Sequence, residues 1–253
     1  MPRVVHKLLV LAAATFVTGI DDQESPTYEL SNGLHIPFVG MGIGNLQHDL
    51  IDDVVSNSLQ PDLNIQLIDT AHASRNEAIL AKAIFKTDQQ MRRSRNTRLN
   101  KSEPLPPIHI VTKIWYTYLG YERTKISVQE TLDELSSVGT RQVYIHMLLH
   151  WPRCNDEIEW MNCIQEEHEL PQHVKDAGPP PHLKKDAWKD SWKALEDVYE
   201  EFAMARKIDE KEVMRPIIAS IGVSNFDFND MRALKDIAKV QPHIYQGSFS
   251  LYK

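Results

Sequence analysis

Polar side chains stand at the ends of several apolar runs in this chain, and their chemical types suit work on a carbonyl group. The stretch QLIDTAHASRNE places Asp69 after an apolar run, IVTK ends in Lys113, and VYIHMLLH ends in His150. A lysine held as an ion pair by an aspartate lowers the pKa of a neighbouring hydroxyl group through its positive charge. A histidine beside them can donate a hydrogen bond to a substrate oxygen.

Three further polar residues have the chemistry of an amide-binding site. Ser224 and Asn225 follow the apolar run IIASIGV, and Gln246 lies in the last apolar run. Together these side chains offer the donors and acceptor that a carboxamide requires. The whole set predicts carbonyl reduction, in which the oxygen is polarised and protonated on one side and a hydride donor is held on the other.

Strand-like runs alternate with helical patterns along the chain. A hairpin is predicted around Asn32 and Gly33, followed by a buried strand that ends in glycines at Gly42. The predicted strands that follow are 65–69, 108–113, 143–150, 217–223 and 243–249, and the predicted helices are 49–59, 76–85, 121–136, 187–205 and 227–238. This alternation predicts a parallel sheet with helices on its faces. The polar residues would then meet at the carboxyl ends of the strands, where such barrels bind their ligands.

Two insertions, 86–107 and 154–185, interrupt this alternation and are predicted to be surface loops. The second contains His168, His173 and His182, whose wide spacing fixes no coordination geometry, so no metal site is predicted. Cys154 and Cys163 lie nine residues apart, and the sequence leaves open whether they form a disulfide or remain two free thiols.

The N-terminus resembles a secretory leader. A short basic segment precedes the apolar run LLVLAAATFV, which predicts a cleaved signal peptide over residues 1–19. The alternatives are a first element of the fold or an uncleaved anchor. The run is shorter than the roughly 20 apolar residues that cross a bilayer, so stable membrane insertion is not expected. The predicted location is the secretory pathway or the extracellular space, or the cytoplasm if the leader is not a signal.

The bulk composition narrows the class of partner. The formal net charge of −7 and the isoelectric point near 5.9 argue against nucleic acid as a partner, because nucleic-acid-binding proteins usually present a basic surface. A small carbonyl compound is the expected substrate.

The quoted motifs also resemble a known family. LSNGLHIPFVGMGIG, IDTAHASRNEAILAKAI, IVTKIW, VYIHMLLHWP and SIGVSNF follow in order and resemble the aldo-keto reductases over roughly residues 28–250. The resemblance implies a (β/α)8 barrel of the TIM type, with NADPH as cofactor, that reduces aldehydes and ketones to alcohols. The domain would span residues 28–253, with the two insertions inside it.

The resemblance assigns roles position by position. Asp69, Lys113 and His150 match three of the four catalytic residues of the family. The residues matching its cofactor and substrate contacts are Ser224, Asn225 and Gln246 at the nicotinamide carboxamide, Gly42 on the cofactor side of the first strand, and Trp115 in the substrate pocket.

The fourth catalytic position departs from the family. A tyrosine is expected as the acid that protonates the carbonyl oxygen, and Ser74 stands there instead. A serine hydroxyl is a far weaker acid than a phenol, and losing a positioned general acid costs on the order of 10²–10⁴ in rate. His150, a water molecule, Tyr116 or Tyr118 are the alternative acids.

The length is the second departure. The chain ends at Lys253, shortly after its sixth predicted strand, and the family pattern implies two further strand–helix units with additional cofactor contacts. The expectation is therefore an incomplete barrel of about six units, either a piece of a longer chain or a naturally shortened one. Its two open sheet edges favour self-association.

Three functions are consistent with these residues. The first is an NADPH-dependent aldo-keto reductase, impaired by Ser74. The second is a catalytically inactive relative that serves as a binding or interaction module. The third is a lyase or isomerase that uses the Lys113–Asp69 pair without a cofactor.

Overall fold

The computed structural model describes residues 26–96, 105–155, 157–208 and 216–247. The predicted leader, residues 1–19, lies outside these ranges, as do part of the first insertion and the last six residues of the chain.

A parallel sheet of six strands organises the described residues, and its strands follow one another in chain order. They are β3 Met41–Gly42, β4 Leu67–Asp69, β5 Ile108–Ile114, β6 Val143–Leu149, β7 Ile217–Ser224 and β8 Ile244–Gln246. The sheet curls into a half-barrel, which confirms the predicted incomplete (β/α)8 fold. β3 and β8 are the edges of this described sheet, and self-association through them stays a prediction.

The predicted hairpin precedes the sheet. β1, Thr27–Glu29, pairs antiparallel with β2, His35–Pro37. The connection spans residues 30–34 and is wider than a two-residue turn, and of the two predicted turn residues only Gly33 has a positive φ, at 79°. The Asn32 side chain fastens the hairpin to the domain, because its amide nitrogen donates to the Ala219 carbonyl at 3.0 Å and to the Tyr199 hydroxyl at 3.1 Å.

Helices pack on the sheet and separate successive strands, as the alternating pattern predicts. In the described residues the α-helices are α1 Ile51–Ser58, α2 Glu77–Asn96, α3 Tyr121–Leu135, α4 Cys163–Glu169, α5 Gln172–Asp176, α6 Ala187–Ile208 and α7 Phe228–Ile237. α6 buries Trp188 and Trp192 in the core, and Asp227 caps the start of α7 because its carboxylate accepts from the Asp230 backbone N–H at 2.8 Å.

Close packing between the last two strands requires a glycine. A side chain at Gly222 would meet the Ile244 carbonyl oxygen at 2.3 Å, far inside van der Waals contact. Gly222 thereby lets β8 lie against β7 and brings Gln246 to the same edge as the other polar residues.

The first insertion is partly helical, so the predicted surface loop from Lys86 is wrong for its first half. α2 continues to Asn96. The continuation is stabilised by Asp88, which is fully buried and forms an ion pair with Arg141 before β6. That contact joins positions far apart in the sequence, and a local pattern does not contain it.

The second insertion is also folded, so its prediction as a surface loop is wrong. It contains α4 and α5, buries Val174 and Cys163, and closes a disulfide between Cys154 and Cys163. The disulfide decides the question that the sequence left open. The three histidines of this insertion are exposed.

Two features are absent from the residues that the structure describes. No helix there combines the length and the apolar character needed to cross a membrane. Nor do those residues contain a group of three or more His, Cys, Asp or Glu side chains able to hold a metal ion.

Candidate active site

The polar residues predicted from strand ends meet at one edge of the curled sheet. Asp69 is the last residue of β4, Ser224 of β7 and Gln246 of β8, while Lys113 is the penultimate residue of β5. His150 follows β6 directly. Parallel strands present their carboxyl ends at the same edge, which is why a local pattern repeated on five strands assembles one site.

Lys113 and Asp69 form the centre of this site. The Lys113 Nζ donates to Asp69 Oδ2 at 2.7 Å and to the Thr70 carbonyl at 2.6 Å. The lysine side chain is only 6% exposed. Burial lowers the pKa of Lys113, and the negative charges of Asp69 and Glu77 act in the opposite direction. The pair therefore places a partly desolvated ammonium group with a fixed position at the carboxyl end of β5.

Gln246, on the edge strand β8, binds the same carboxylate. Its Nε2 donates to Asp69 Oδ2 at 3.0 Å. Its Oε1 is buried and accepts no hydrogen bond from the described residues. The amide thus binds Asp69 through Nε2 and leaves Oε1 available as an acceptor.

Asn225 joins the ends of β6 and β7. Its Nδ2 donates to the His150 carbonyl at 2.9 Å and to Ser224 Oγ at 3.0 Å. Asn225 has a φ of 57°, a left-handed conformation that asparagine tolerates better than most residues. This backbone turn directs its side chain back to His150 and so fixes the position of the histidine backbone.

Aromatic rings flank His150. The Trp115 ring stands edge-on to the imidazole, with a distance of 5.0 Å between ring centroids. Trp115 Nε1 donates to Glu166 Oε2 at 2.6 Å, and the Tyr116 hydroxyl donates to the other oxygen of the same carboxylate. The sequence identifies Trp115 but not Glu166, because Glu166 belongs to the insertion that was read as a loop.

Ser74 lies beside the site but is not joined to its centre. It ends a 3-10 turn, His72–Ser74, that follows β4. A Cβ atom placed on Gly44 would lie 3.3 Å from Ser74 Oγ, so the hydroxyl faces the loop after β3. In the described part of the chain the hydroxyl makes no hydrogen bond with Asp69 or Lys113.

Gly42, assigned to the cofactor side, pairs with Asp69 in register and is exposed at the same edge.

The two tyrosines considered as alternative acids, Tyr116 and Tyr118, make other contacts. Tyr116 is buried and bonded to Glu166. Burial and the Glu130 carboxylate raise the pKa of Tyr118 to about 12, and its ring packs edge-on against His72 at 4.5 Å between centroids. Both features disfavour proton donation from Tyr118 at neutral pH.

Glu77 is a buried carboxyl group that the sequence analysis did not select. It accepts from the Thr112 hydroxyl at 2.7 Å and from the Thr131 hydroxyl at 3.2 Å. Burial raises the pKa of Glu77, and Thr112 and His72 act against this increase. Its position behind Lys113 adds a second acidic group to the surroundings of the ammonium. The only sequence signal is its place three residues after Ser74, at the start of α2.

Comparison with known proteins agrees with this geometry. The sequence pattern of the aldo/keto reductase family matches residues 53–253. The chain is 31% identical to methylglyoxal reductase DkgB of Yersinia pestis over 126 residues, which are 49% of this chain and 39% of that protein. It is 26% identical to the NAD(P)H-dependent D-xylose reductase of Pyricularia oryzae, over 88% of this chain and 58% of that protein.

Solved structures show the same fold. An aldo/keto reductase of Brucella melitensis superposes with a TM-score of 0.55 at 26% identity, covering 89% of this chain and 62% of that one. The aldose reductase of Schistosoma japonicum superposes with a TM-score of 0.58 at 21% identity, over 88% of this chain and 61% of that one.

The half-barrel, its polar edge and the family match together identify the class of protein. The chain belongs to the aldo/keto reductase family, and the two relatives compared are named as reductases. Members of this family generally use NAD(P)H and act on small carbonyl compounds. The chain spans 39% and 58% of the length of the two relatives compared.

Proposed function

We propose that this chain contributes an NADPH-dependent reductase site that converts aldehydes and ketones to alcohols. The observation that carries the proposal is the buried Lys113–Asp69 pair, with 2.7 Å between Nζ and Oδ2, at the sheet edge that also carries His150. Methylglyoxal is the first substrate to test, because a relative is named for its reduction.

Each residue has a defined task in this proposal. His150 donates a hydrogen bond to the carbonyl oxygen and supplies the proton that this oxygen gains as the alcohol forms. Lys113 stabilises the negative charge that develops on the oxygen, since a desolvated ammonium acts more strongly than one in water. Asp69 holds Lys113 and is itself held by Gln246.

The residues at the edge fit a nicotinamide carboxamide. Gln246 Oε1 is buried and accepts nothing from the described residues, so an amide N–H2 group would satisfy it. The Ser224 hydroxyl accepts from Asn225, which leaves its own proton for a carbonyl oxygen. When bound, a reduced nicotinamide supplies the hydride that completes the reduction. NADPH rather than NADH follows the family resemblance.

A titration of the full chain with NADPH and with NADH tests the cofactor half of the proposal. Trp115 lies at the site, so quenching of tryptophan fluorescence reports binding. Saturable quenching by NADPH, and NADPH oxidation that depends on methylglyoxal, are the expected results. A folded chain that binds neither nucleotide contradicts the proposal.

A binding module is the second candidate function. It is favoured by Ser74, whose hydroxyl faces Gly44 and has no described bond to Lys113. In that case the chain would bind NADPH or a carbonyl compound at the same edge without turnover. Saturable NADPH binding with no oxidation, even in the Ser74→Tyr variant, would select this alternative.

For the compartment, we propose the secretory pathway. The Cys154–Cys163 disulfide supports this location, because disulfides persist in oxidising compartments. N-terminal sequencing of the protein secreted by expressing cells would test it, and cleavage after residue 19 is the expected result.

A further inference from the structure

The second insertion carries a compact loop that the reduction itself does not require. The Cys154–Cys163 disulfide closes this loop, and Trp160 lies inside it. Two backbone hydrogen bonds lie within this loop, since the Ile158 N–H donates to the Asn155 carbonyl at 3.0 Å and the Met161 N–H donates to the Ile158 carbonyl at 2.8 Å. We call its described residues, 154–155 and 157–163, the disulfide loop.

The disulfide loop brings Trp160 to the aromatic rings around His150. The Trp160 ring is stacked on that of Trp115, with 6.0 Å between centroids and 25° between planes. It meets Trp151 edge-on at 5.8 Å. Trp115 and Trp151 in turn flank the His150 ring at 5.0 and 6.5 Å. Trp160 is therefore the outer member of an aromatic group that begins at the proposed proton donor.

Trp160 is unusually accessible for a side chain in such a group. It is 44% exposed, whereas Trp188 and Trp192 in the core are each about 1% exposed. Trp160 therefore packs on Trp115 and Trp151 while part of its ring remains open to solvent, and aromatic side chains contribute strongly to the energetics of interfaces.

Two carboxylates of α4, the helix that follows the disulfide loop, bind the turn after β5 and the start of α3. Glu166, just after the disulfide, accepts hydrogen bonds from Trp115 and Tyr116 at the end of β5. The next residue, Glu167, forms two bonds with the buried Arg123 guanidinium, at 2.8 and 2.9 Å. The loop thus has a fixed position relative to the site, which a specificity-determining wall requires.

We propose that Trp160 is a specificity-determining residue, placed by the Cys154–Cys163 disulfide to bind the ring of an aromatic carbonyl substrate beside His150. A flat ring stacks on an indole with a gain that a short aliphatic chain does not obtain. The site then prefers aromatic aldehydes to small aliphatic ones, and this preference depends on the disulfide. The predicted changes in turnover rest on the proposed reductase function, whereas the predicted binding of an aromatic ring at Trp160 does not.

Binding and turnover are measured separately on the full chain. Calorimetry with 4-nitrobenzyl alcohol reports the subsite, and NADPH oxidation with 4-nitrobenzaldehyde and with propanal reports the reaction. Trp160→Ala is expected to weaken binding of the aromatic alcohol, and to raise KM for the aromatic aldehyde, by about tenfold, the size of one good aromatic contact. KM for propanal is expected to change less than about twofold.

Three matched variants complete the test. Trp160→Phe keeps a ring and restores most of the affinity. Cys154→Ser combined with Cys163→Ser reproduces the Trp160→Ala effect. Leu183→Ala removes another exposed apolar side chain of the same insertion, 73% exposed, and leaves binding unchanged.

The outcomes separate the two proposals. Trp160-dependent binding of the aromatic alcohol without any NADPH oxidation overturns the reductase function and supports the subsite. Reduction of both aldehydes with no effect of Trp160→Ala supports the reductase function and overturns the subsite. A folded chain that does not bind the aromatic alcohol also overturns it.

Discussion

Gln246 and Asp69 are joined by a hydrogen bond of 3.0 Å, although three strands separate β8 from β4 in the sheet. Such contact across the sheet requires strong curvature, so the half-barrel already encloses the polar edge. The bond also gives Gln246 two tasks, because one end of its amide holds Asp69 and the other is the buried acceptor at Oε1.

Replacing Gln246 with leucine removes both ends of this amide. We expect Gln246→Leu to weaken NADPH binding by about tenfold, the loss of one or two buried hydrogen bonds, with a smaller effect on folding. The fluorescence titration measures the change. Gln241→Leu is the control, since Gln241 is an exposed glutamine just before β8. Equal affinities in the two variants would show that Gln246 does not contact the cofactor.

The strand ends were predictable because each is set by a short local pattern. An apolar run followed by Asp69 or His150 fixes both the strand and the place of its polar end, and parallel order then assembles the site. The disulfide loop, Glu166 and the second half of α2 were not predictable in this way. Each is held by contacts between residues about 50 positions apart or by a disulfide, and hydrophobic periodicity does not report such contacts.

The buried ion pair between Asp88 and Arg141 is expected to matter more for stability than any surface pair. Both side chains are almost fully buried. Asp88→Asn leaves the guanidinium without its charge partner and should lower the free energy of unfolding by about 3–5 kcal/mol. Urea denaturation followed by circular dichroism measures this value.

An exposed pair provides the comparison. Asp52 and Lys86 join α1 to α2 with side chains 41% and 59% exposed. Asp52→Asn should cost less than about 1 kcal/mol, because solvent screens the charges. Equal losses for the two substitutions would contradict a structural role for the buried pair.

Restoring the acid tests the assignment of Ser74. Ser74→Tyr places a phenol at the position that the family resemblance assigns to the proton donor, and NADPH oxidation with methylglyoxal should rise by about 10²-fold or more. Ser74→Phe has nearly the same volume and lacks the hydroxyl, so it should give no increase. If both variants react at the same rate, the proton comes from another group and Ser74 does not occupy the acid position.

Two buried histidines, His109 and His146, are expected to make the free energy of unfolding depend on pH. The His109 Nδ1 lies 3.0 Å from His146 Nε2, and His146 Nδ1 lies 2.7 Å from the Ser220 hydroxyl. Burial lowers the pKa of His109 to about 4. Burial, with a smaller contribution from neighbouring His109 and His243, lowers the pKa of His146 to about 3. Neither hydrogen bond was expected from the sequence, since His109 and His146 lie inside apolar runs.

The direction of this pH dependence follows from proton uptake by the histidines in the folded and unfolded states. Below pH 6.5 an unfolded histidine binds a proton that the folded one does not, so stability is present above this pH and is lost as the pH falls. From pH 7 to 5 the loss is about 2 kcal/mol for each histidine. The buried carboxyl of Glu77, with its raised pKa, gives the opposite slope.

A pair of variants isolates the contribution of His146. His146→Leu combined with Ser220→Ala removes the His146 imidazole and its serine partner while His109 remains, and the loss between pH 7 and 5 should shrink by about 2 kcal/mol. Glu77 is unchanged and cancels in the difference. His168→Gln, at an exposed position, should keep the wild-type dependence. Urea unfolding at the two pH values measures all three proteins, and an unaltered loss in the double variant would mean that His146 is protonated in the folded state.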